Sequence, residues 1–120
     1  MSNGTRNNHT KNWIRKDLRL AIYLRDKFTC LLCEKDLHRS DPSEITLDHY
    51  IPRSLGGDNT VKNLFTCCHL CNSTRQANHV KTFKSVSVAL RVVIQMCIPV
   101  DRALAKALLK GEISQHESET

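Results

Sequence analysis

Four cysteines in two Cys-x-x-Cys pairs set the terms on which this chain can fold. Cys30 and Cys33 lie in FTCLLCEKD, and Cys68 and Cys71 in FTCCHLCN. The two-residue spacing lets both sulfurs of a pair reach one ion, and two such pairs complete a tetrahedral thiolate shell of the kind zinc prefers. Cys67 and His69 flank Cys68 in the second knuckle, and a sixth cysteine, Cys97, lies further along the chain. Choosing Cys67 as ligand would break the spacing to Cys71, so Cys68 is the expected ligand. His69 is expected to face solvent in the knuckle turn, and Cys97 is read as plain core.

The size of the chain makes such a staple useful. With 120 residues and a hydrophobic content of 40% there is enough apolar material for one small core and little surplus. Residues 1–11 are polar and read as a disordered basic tail; 112–120 read as a frayed one. The intervening 12–111 reads as a single domain, with a helical extension from about residue 80. No secretory leader is visible in MSNGTRNNHTKNW and no apolar run is long enough to span a bilayer. The expected compartment is the reducing cytoplasm, where paired thiols hold metals in preference to forming disulfides. A net charge of +6 attracts polyanions, and with no spanning run no membrane partner is expected.

Local patterns place the elements. In WIRKDLRLAIYLRDK, Ile14, Leu18, Ala21, Ile22 and Tyr23 recur on one face, which predicts an amphipathic helix over Trp13–Lys27 that delivers the chain to Cys30. ITLDHY and NLFTC read as short strands, and IPRSLGGDNTV between them as a long loop whose Gly56 and Gly57 allow backbone conformations closed to other residues. A short helix is expected over 72–78. The run TFKSVSVALRVVIQMC fits both a strand and a helix; its length and its Ala, Leu, Arg, Gln and Met favour a helix with Phe83, Val86, Leu90, Val93 and Cys97 on one face. VDRALAKALLKG is a last helix, with Asp101 near its start and Gly111 at the C-terminal cap position.

Chemistry concentrates between the knuckles. Cleaving a phosphodiester needs a hard divalent ion on the phosphate, a base to activate water and something to hold that base. Asp48 and Asn72 offer oxygen ligands suited to Mg²⁺ or Mn²⁺. His49 offers an imidazole, a group that exchanges its proton near neutral pH. Asn63 can brace the loop through its amide, and the knuckle fixes Asn72 directly after Cys71. Asp48 and His49 are adjacent, so in a regular strand they point to opposite faces; both reach one site where the strand ends or twists.

Asp48-His49, Asn63 and Asn72, set between paired Cys-x-x-Cys knuckles, resemble the HNH endonucleases of the His-Me finger (ββα-metal) group. The resemblance covers about Trp13 to Asn78, and departs from the family name at its third letter, where Asn72 replaces histidine. It implies an α+β fold with a ββα-metal core, a structural zinc knuckle and flanking N- and C-terminal helices. It implies that His49 is the general base, that Asp48 and Asn72 hold a catalytic Mg²⁺ or Mn²⁺, and that Asn63 orients the loop carrying His49. Cys30, Cys33, Cys68 and Cys71 would hold structural zinc. The implied reaction is hydrolysis of DNA to 3′-hydroxyl and 5′-phosphate ends. Arg53, Lys62, Arg75, Lys81 and Lys84 are candidate phosphate contacts, with Arg75 the best placed, one helical turn after Asn72. No second, sequence-reading domain is apparent, so specificity is low, shape-based or supplied by a larger protein partner. Two alternatives stand beside this reading: a non-catalytic zinc-knuckle module that binds nucleic acid, and an RNase of the same fold.

Overall fold

The computed structural model describes residues 14–76 and 83–111. The expected tails at 1–11 and 112–120, together with Trp13, His79 and Lys81, lie outside the described residues. The element order is α1 (Lys16–Arg25), a 3₁₀ turn (Pro42–Glu44), β1 (Ile45–His49), a 3₁₀ turn (Arg53–Leu55), β2 (Leu64–Cys68), α2 (His69–Gln76), α3 (Val86–Met96) and α4 (Arg102–Leu109). The fold is α+β, with a two-stranded antiparallel sheet running directly into α2, as in a ββα-metal core.

Helix α1 buries Ala21, Ile22 and Tyr23, the stripe its periodicity specifies. It stops two residues short of the expected Lys27 because the chain turns left-handed there. Lys27 and Phe28 have φ of 56° and 51°. The Phe28 amide reaches back to the Tyr23 carbonyl at 2.8 Å and the Lys27 amide to that of Leu24 at 3.1 Å. This is a Schellman motif, closed by its usual apolar contact, here the rings of Tyr23 and Phe28 at 5.9 Å. The turn aims the chain into the first knuckle, where the Leu31 amide donates to the Thr66 carbonyl of β2 at 3.1 Å.

The end of α1 is clamped to β2 by a buried ion pair. Arg25 Nε donates to Asp26 Oδ1 at 2.7 Å, and its terminal nitrogens reach the carbonyls of Val61 and Leu64, each at 2.8 Å. Asp26 Oδ2 accepts the Thr66 amide at 2.8 Å. Every group that the pair removes from water thus finds a partner, which is what makes burial of two charges tolerable.

The sheet pairs Ile45 with Cys68, Leu47 with Thr66 and His49 with Leu64. Cys30, Leu31, Leu37, Phe65, Cys67, Cys68, Val92 and Met96 form the main core. Ile14, Ile22 and Leu64 form a second cluster, joined by Leu18, Leu47, Val61 and Val100. The ambiguous run 83–97 is helical, and Ser85 caps it by accepting the Val88 amide. Its buried face is only partly the expected one: Phe83 and Val93 pack against the core beside the buried Val92 and Met96, while Val86, Leu90, Ile94 and Cys97 are exposed. Cys97 is therefore not core. The polar residues fix this facing, because they bond backbone elsewhere in the fold: Arg91 donates to the Leu31 carbonyl at 2.7 Å and Gln95 to the Arg25 carbonyl at 2.8 Å. Helix α4 is capped by Asp101, which accepts the Leu104 amide, and is tied to α1 by Arg102, 2.7 Å from Asp17. Among the described residues no helix is long and apolar enough to cross a membrane.

Candidate active site and metal cluster

The two knuckles meet. One ligand atom from each of Cys30, Cys33, Cys68 and Cys71 lies within 4.8 Å of the others, and the sulfurs of Cys33 and Cys68 are 3.9 Å apart. Tetrahedral zinc, with bonds of about 2.3 Å, sets its sulfurs about 3.8 Å apart. The cluster is thus already close to the size such an ion requires, and it can hold a metal such as zinc. Cys67 is buried beside the cluster and is not part of it. Its Sγ donates to the Cys68 carbonyl at 3.4 Å, and the interaction between the neighbouring Cys67 and Cys30 thiols pulls Cys30 below its ordinary value and pushes Cys67 above its own. Helix α2 begins at His69, inside the second knuckle and three residues earlier than expected; His69 is exposed there.

That early start places Asn72 and Arg75, one turn apart on α2, against Thr46 and Asp48, two residues apart on β1 and so on one face of the strand. Asn72 Nδ2 donates to Thr46 Oγ1 at 2.9 Å and to the Leu47 carbonyl at 3.2 Å. Asn72 Oδ1 is buried and meets no hydrogen-bond donor among the described residues. Asp48 is 1% exposed; its Oδ1 accepts the His49 amide at 2.7 Å and its Oδ2 accepts Arg75 Nε at 2.6 Å.

His49 is the last residue of β1, where the strand gives way to the loop. Its ring is half-buried, with Nε2 2.7 Å from Asn59 Oδ1. With the Asn59 amide so oriented, Nε2 carries the ring proton and Nδ1 keeps the lone pair. Asn63 is buried inside the loop. Its Oδ1 accepts the Ile51 amide at 2.7 Å, and its Nδ2 donates to the carbonyls of Ile51 at 3.1 Å and Asp58 at 2.9 Å. The side chain thereby closes the loop that follows His49 onto itself. Gly57 is needed for this closure: a Cβ there would lie 1.7 Å from the Ile51 carbonyl oxygen and 2.9 Å from Asn63 Nδ2.

An amide oxygen left bare in a buried position, beside a strand that carries a buried carboxylate, suits a hard cation; a soft ion would want sulfur or imidazole. The residues present therefore fit a divalent ion such as Mg²⁺ or Mn²⁺. Of the basic residues expected at phosphates, Arg53, Lys62 and Lys84 are exposed. Arg75 is not: it is 6% exposed, turned inward onto Asp48, with its guanidinium 4.3 Å from the ring centre of Phe83 and 5.8 Å from that of Phe65. Helical position put Arg75 in the right place, but the buried carboxylate across the seam drew it inward. Sequence reasoning missed Thr46, Asn59 and this role of Arg75. The available signals were the two-residue interval from Thr46 to Asp48 and the three-residue interval from Asn72 to Arg75, which match strand and helix faces.

Residues 30–86 match the family model described as HNH endonuclease. The match runs from the first knuckle cysteine to the first residue of α3, and so takes in both knuckles, both strands and α2. Comparisons with curated proteins and with solved structures return no match.

Proposed function

This chain belongs to the HNH endonuclease family, and from that premise we propose that it is a metal-dependent DNA endonuclease acting through His49. The observation that carries the reading is the seam between β1 and α2. There Asn72 presents a buried, unpartnered oxygen alongside Asp48, and His49 follows Asp48 at the strand end. In this reading Cys30, Cys33, Cys68 and Cys71 hold a structural zinc that fixes Asn72, and Asp48 and Asn72 hold Mg²⁺ or Mn²⁺. When bound, that ion supplies charge neutralisation at the scissile phosphate.

The residues do the rest. His49 Nδ1 takes a proton from water, whose oxygen then attacks phosphorus in line. The bond to the 3′ oxygen breaks, leaving 3′-hydroxyl and 5′-phosphate ends. Asn59 holds the ring by its opposite nitrogen, and Asn63 keeps the loop from carrying it away. Arg53, Lys62 and Lys84 are surface charges available to phosphates, so binding should weaken steeply with salt. Residues 12–111 act as one nuclease domain, with α3 and α4 as its helical extension, and selectivity beyond DNA shape would come from a partner.

The test is nicking of supercoiled plasmid with Mg²⁺ or Mn²⁺, with EDTA, and with His49→Ala. EDTA should abolish cutting, and the substitution should slow it by about 10²–10⁴. Equal cutting by wild type and variant, or none by either, would leave a zinc module that only binds nucleic acid. Cutting of RNA alone would reassign the substrate.

A further inference from the structure

The geometry points to Thr46 as the residue that selects which end of the Asn72 amide faces the cation, an inference that rests on the metal reading above. Thr46 Oγ1 lies 2.7 Å from the Cys67 carbonyl oxygen, which can only accept. A hydroxyl has a single proton. With that proton committed across the sheet, Thr46 can only accept from Asn72, and the Leu47 carbonyl beside it can only accept as well.

Two acceptors thus stand on one side of the amide. Nδ2, with two protons, satisfies both; turning the amide over would set Oδ1 against two oxygens. Asn72 is therefore locked with Nδ2 on Thr46 and Leu47, and Oδ1 is left buried and without a donor. The distinction matters because the amide oxygen is a hard ligand for Mg²⁺ or Mn²⁺ and the amide nitrogen is not. One of the two locks is backbone and is always present. Thr46 is the side-chain lock, and its proton is held by the carbonyl of Cys67, the neighbour of the knuckle ligand Cys68. The knuckle thereby sets the ligand twice, once through the chain at Cys71-Asn72 and once through Thr46.

The experiment measures Mn²⁺ binding to the zinc-loaded full chain by calorimetry and by loss of the free-Mn²⁺ electron paramagnetic resonance signal. The proteins are wild type, Thr46→Val, Thr46→Ala, Thr46→Ser and Asn72→Ala, with zinc content and thermal melting as controls. Thr46→Val and Thr46→Ala should each weaken Mn²⁺ binding about tenfold or more, the usual effect of removing a group that orients a ligand. Thr46→Ser, which restores the hydroxyl, should bind like wild type. Nicking by Thr46→Ala should recover at high Mn²⁺, as a positioning role requires. Thr46→Ala is the smaller perturbation, since it puts no methyl against the amide, and it keeps the test decisive if Thr46→Val does not fold. If Asn72→Ala loses Mn²⁺ while the folded Thr46 variants bind as wild type, the assignment of Thr46 is wrong and the metal site stands. If Asn72→Ala binds as wild type, or wild type does not bind, the metal site itself falls and Thr46 with it.

Discussion

Arg75 Nε stands 2.6 Å from Asp48 Oδ2, and the two side chains are 7% and 1% exposed. The pair joins α2 to β1 across 27 residues of sequence and makes the proposed cation ligand half of an ion pair. A guanidinium enclosed between Asp48 and the Phe83 ring holds the carboxylate at a fixed angle and offsets its charge. The seam is thus braced by two side chains of α2: Asn72 next to the knuckle and Arg75 one turn on.

Arg75→Ala removes the guanidinium and leaves the carboxylate enclosed. Unfolding in urea should show a loss of about 3–5 kcal/mol, the range for breaking a buried pair from one side. Arg75→Lys keeps the charge without the planar fork and should recover only part of it. Stability equal to wild type in the alanine variant would mean that Asp48 does not depend on this contact.

The Arg25–Asp26 pair makes the same kind of prediction far from the site. Both side chains are fully enclosed, so Asp26→Ala strands the guanidinium and frees the Thr66 amide. A loss of about 3–5 kcal/mol is expected, with zinc content unchanged in whatever fraction remains folded. A midpoint shift too small to measure would contradict the clamp.

Cys67 and Cys68 are neighbours with opposite expected roles. Cys68→Ala should lower zinc stoichiometry and the melting temperature together, because ligand loss in a structural cluster is loss of folding energy. Cys67→Ala should retain the ion. Zinc titration with a chromophoric chelator distinguishes them, and retention by the Cys68 variant alone would reverse the ligand assignment.

Gly57→Ala tests the loop that follows His49. The added carbon would collide with the Ile51 carbonyl, so the turn must open and release the Asn63 contacts. Nicking should fall while zinc content holds, since the collision is remote from the cysteines. Activity equal to wild type would show that loop closure does not position His49.

Acid should loosen α4 from α1 in a specific window. The hydrogen bond from Arg102 is the largest cause holding the Asp17 carboxyl below its ordinary 3.8. Folded Asp17 thus binds fewer protons than unfolded Asp17, and the contact stabilises the fold fully above that value. The contribution declines as pH falls through 3.8 and is gone below the folded value. Melting temperature against pH should be flatter in this window for Asp17→Asn than for wild type; parallel curves would remove Asp17 from the account.

Much of the frame was legible because its signals are local. Two residues between cysteines, the short runs ITLDHY and NLFTC, and the apolar stripe around Ile22 are local features, and they yielded the knuckles, the two strands and α1 within a few residues. Asp48, His49, Asn63 and Asn72 stood out by a different route, their resemblance to the HNH endonuclease pattern. Three things were not legible. The facing of α3 escaped periodicity because distant carbonyls at Leu31 and Arg25 capture its polar residues. Arg75 read as a surface cation, since nothing local reveals a buried carboxylate waiting across the seam. The turn of the Asn72 amide depends on a proton held by Cys67, on another strand. Spacing along the chain determined which groups this protein possesses and in what order. Tertiary structure alone decided which of them turn inward and which atom each presents, because enclosed polar groups must find partners, and those partners lie far away in sequence.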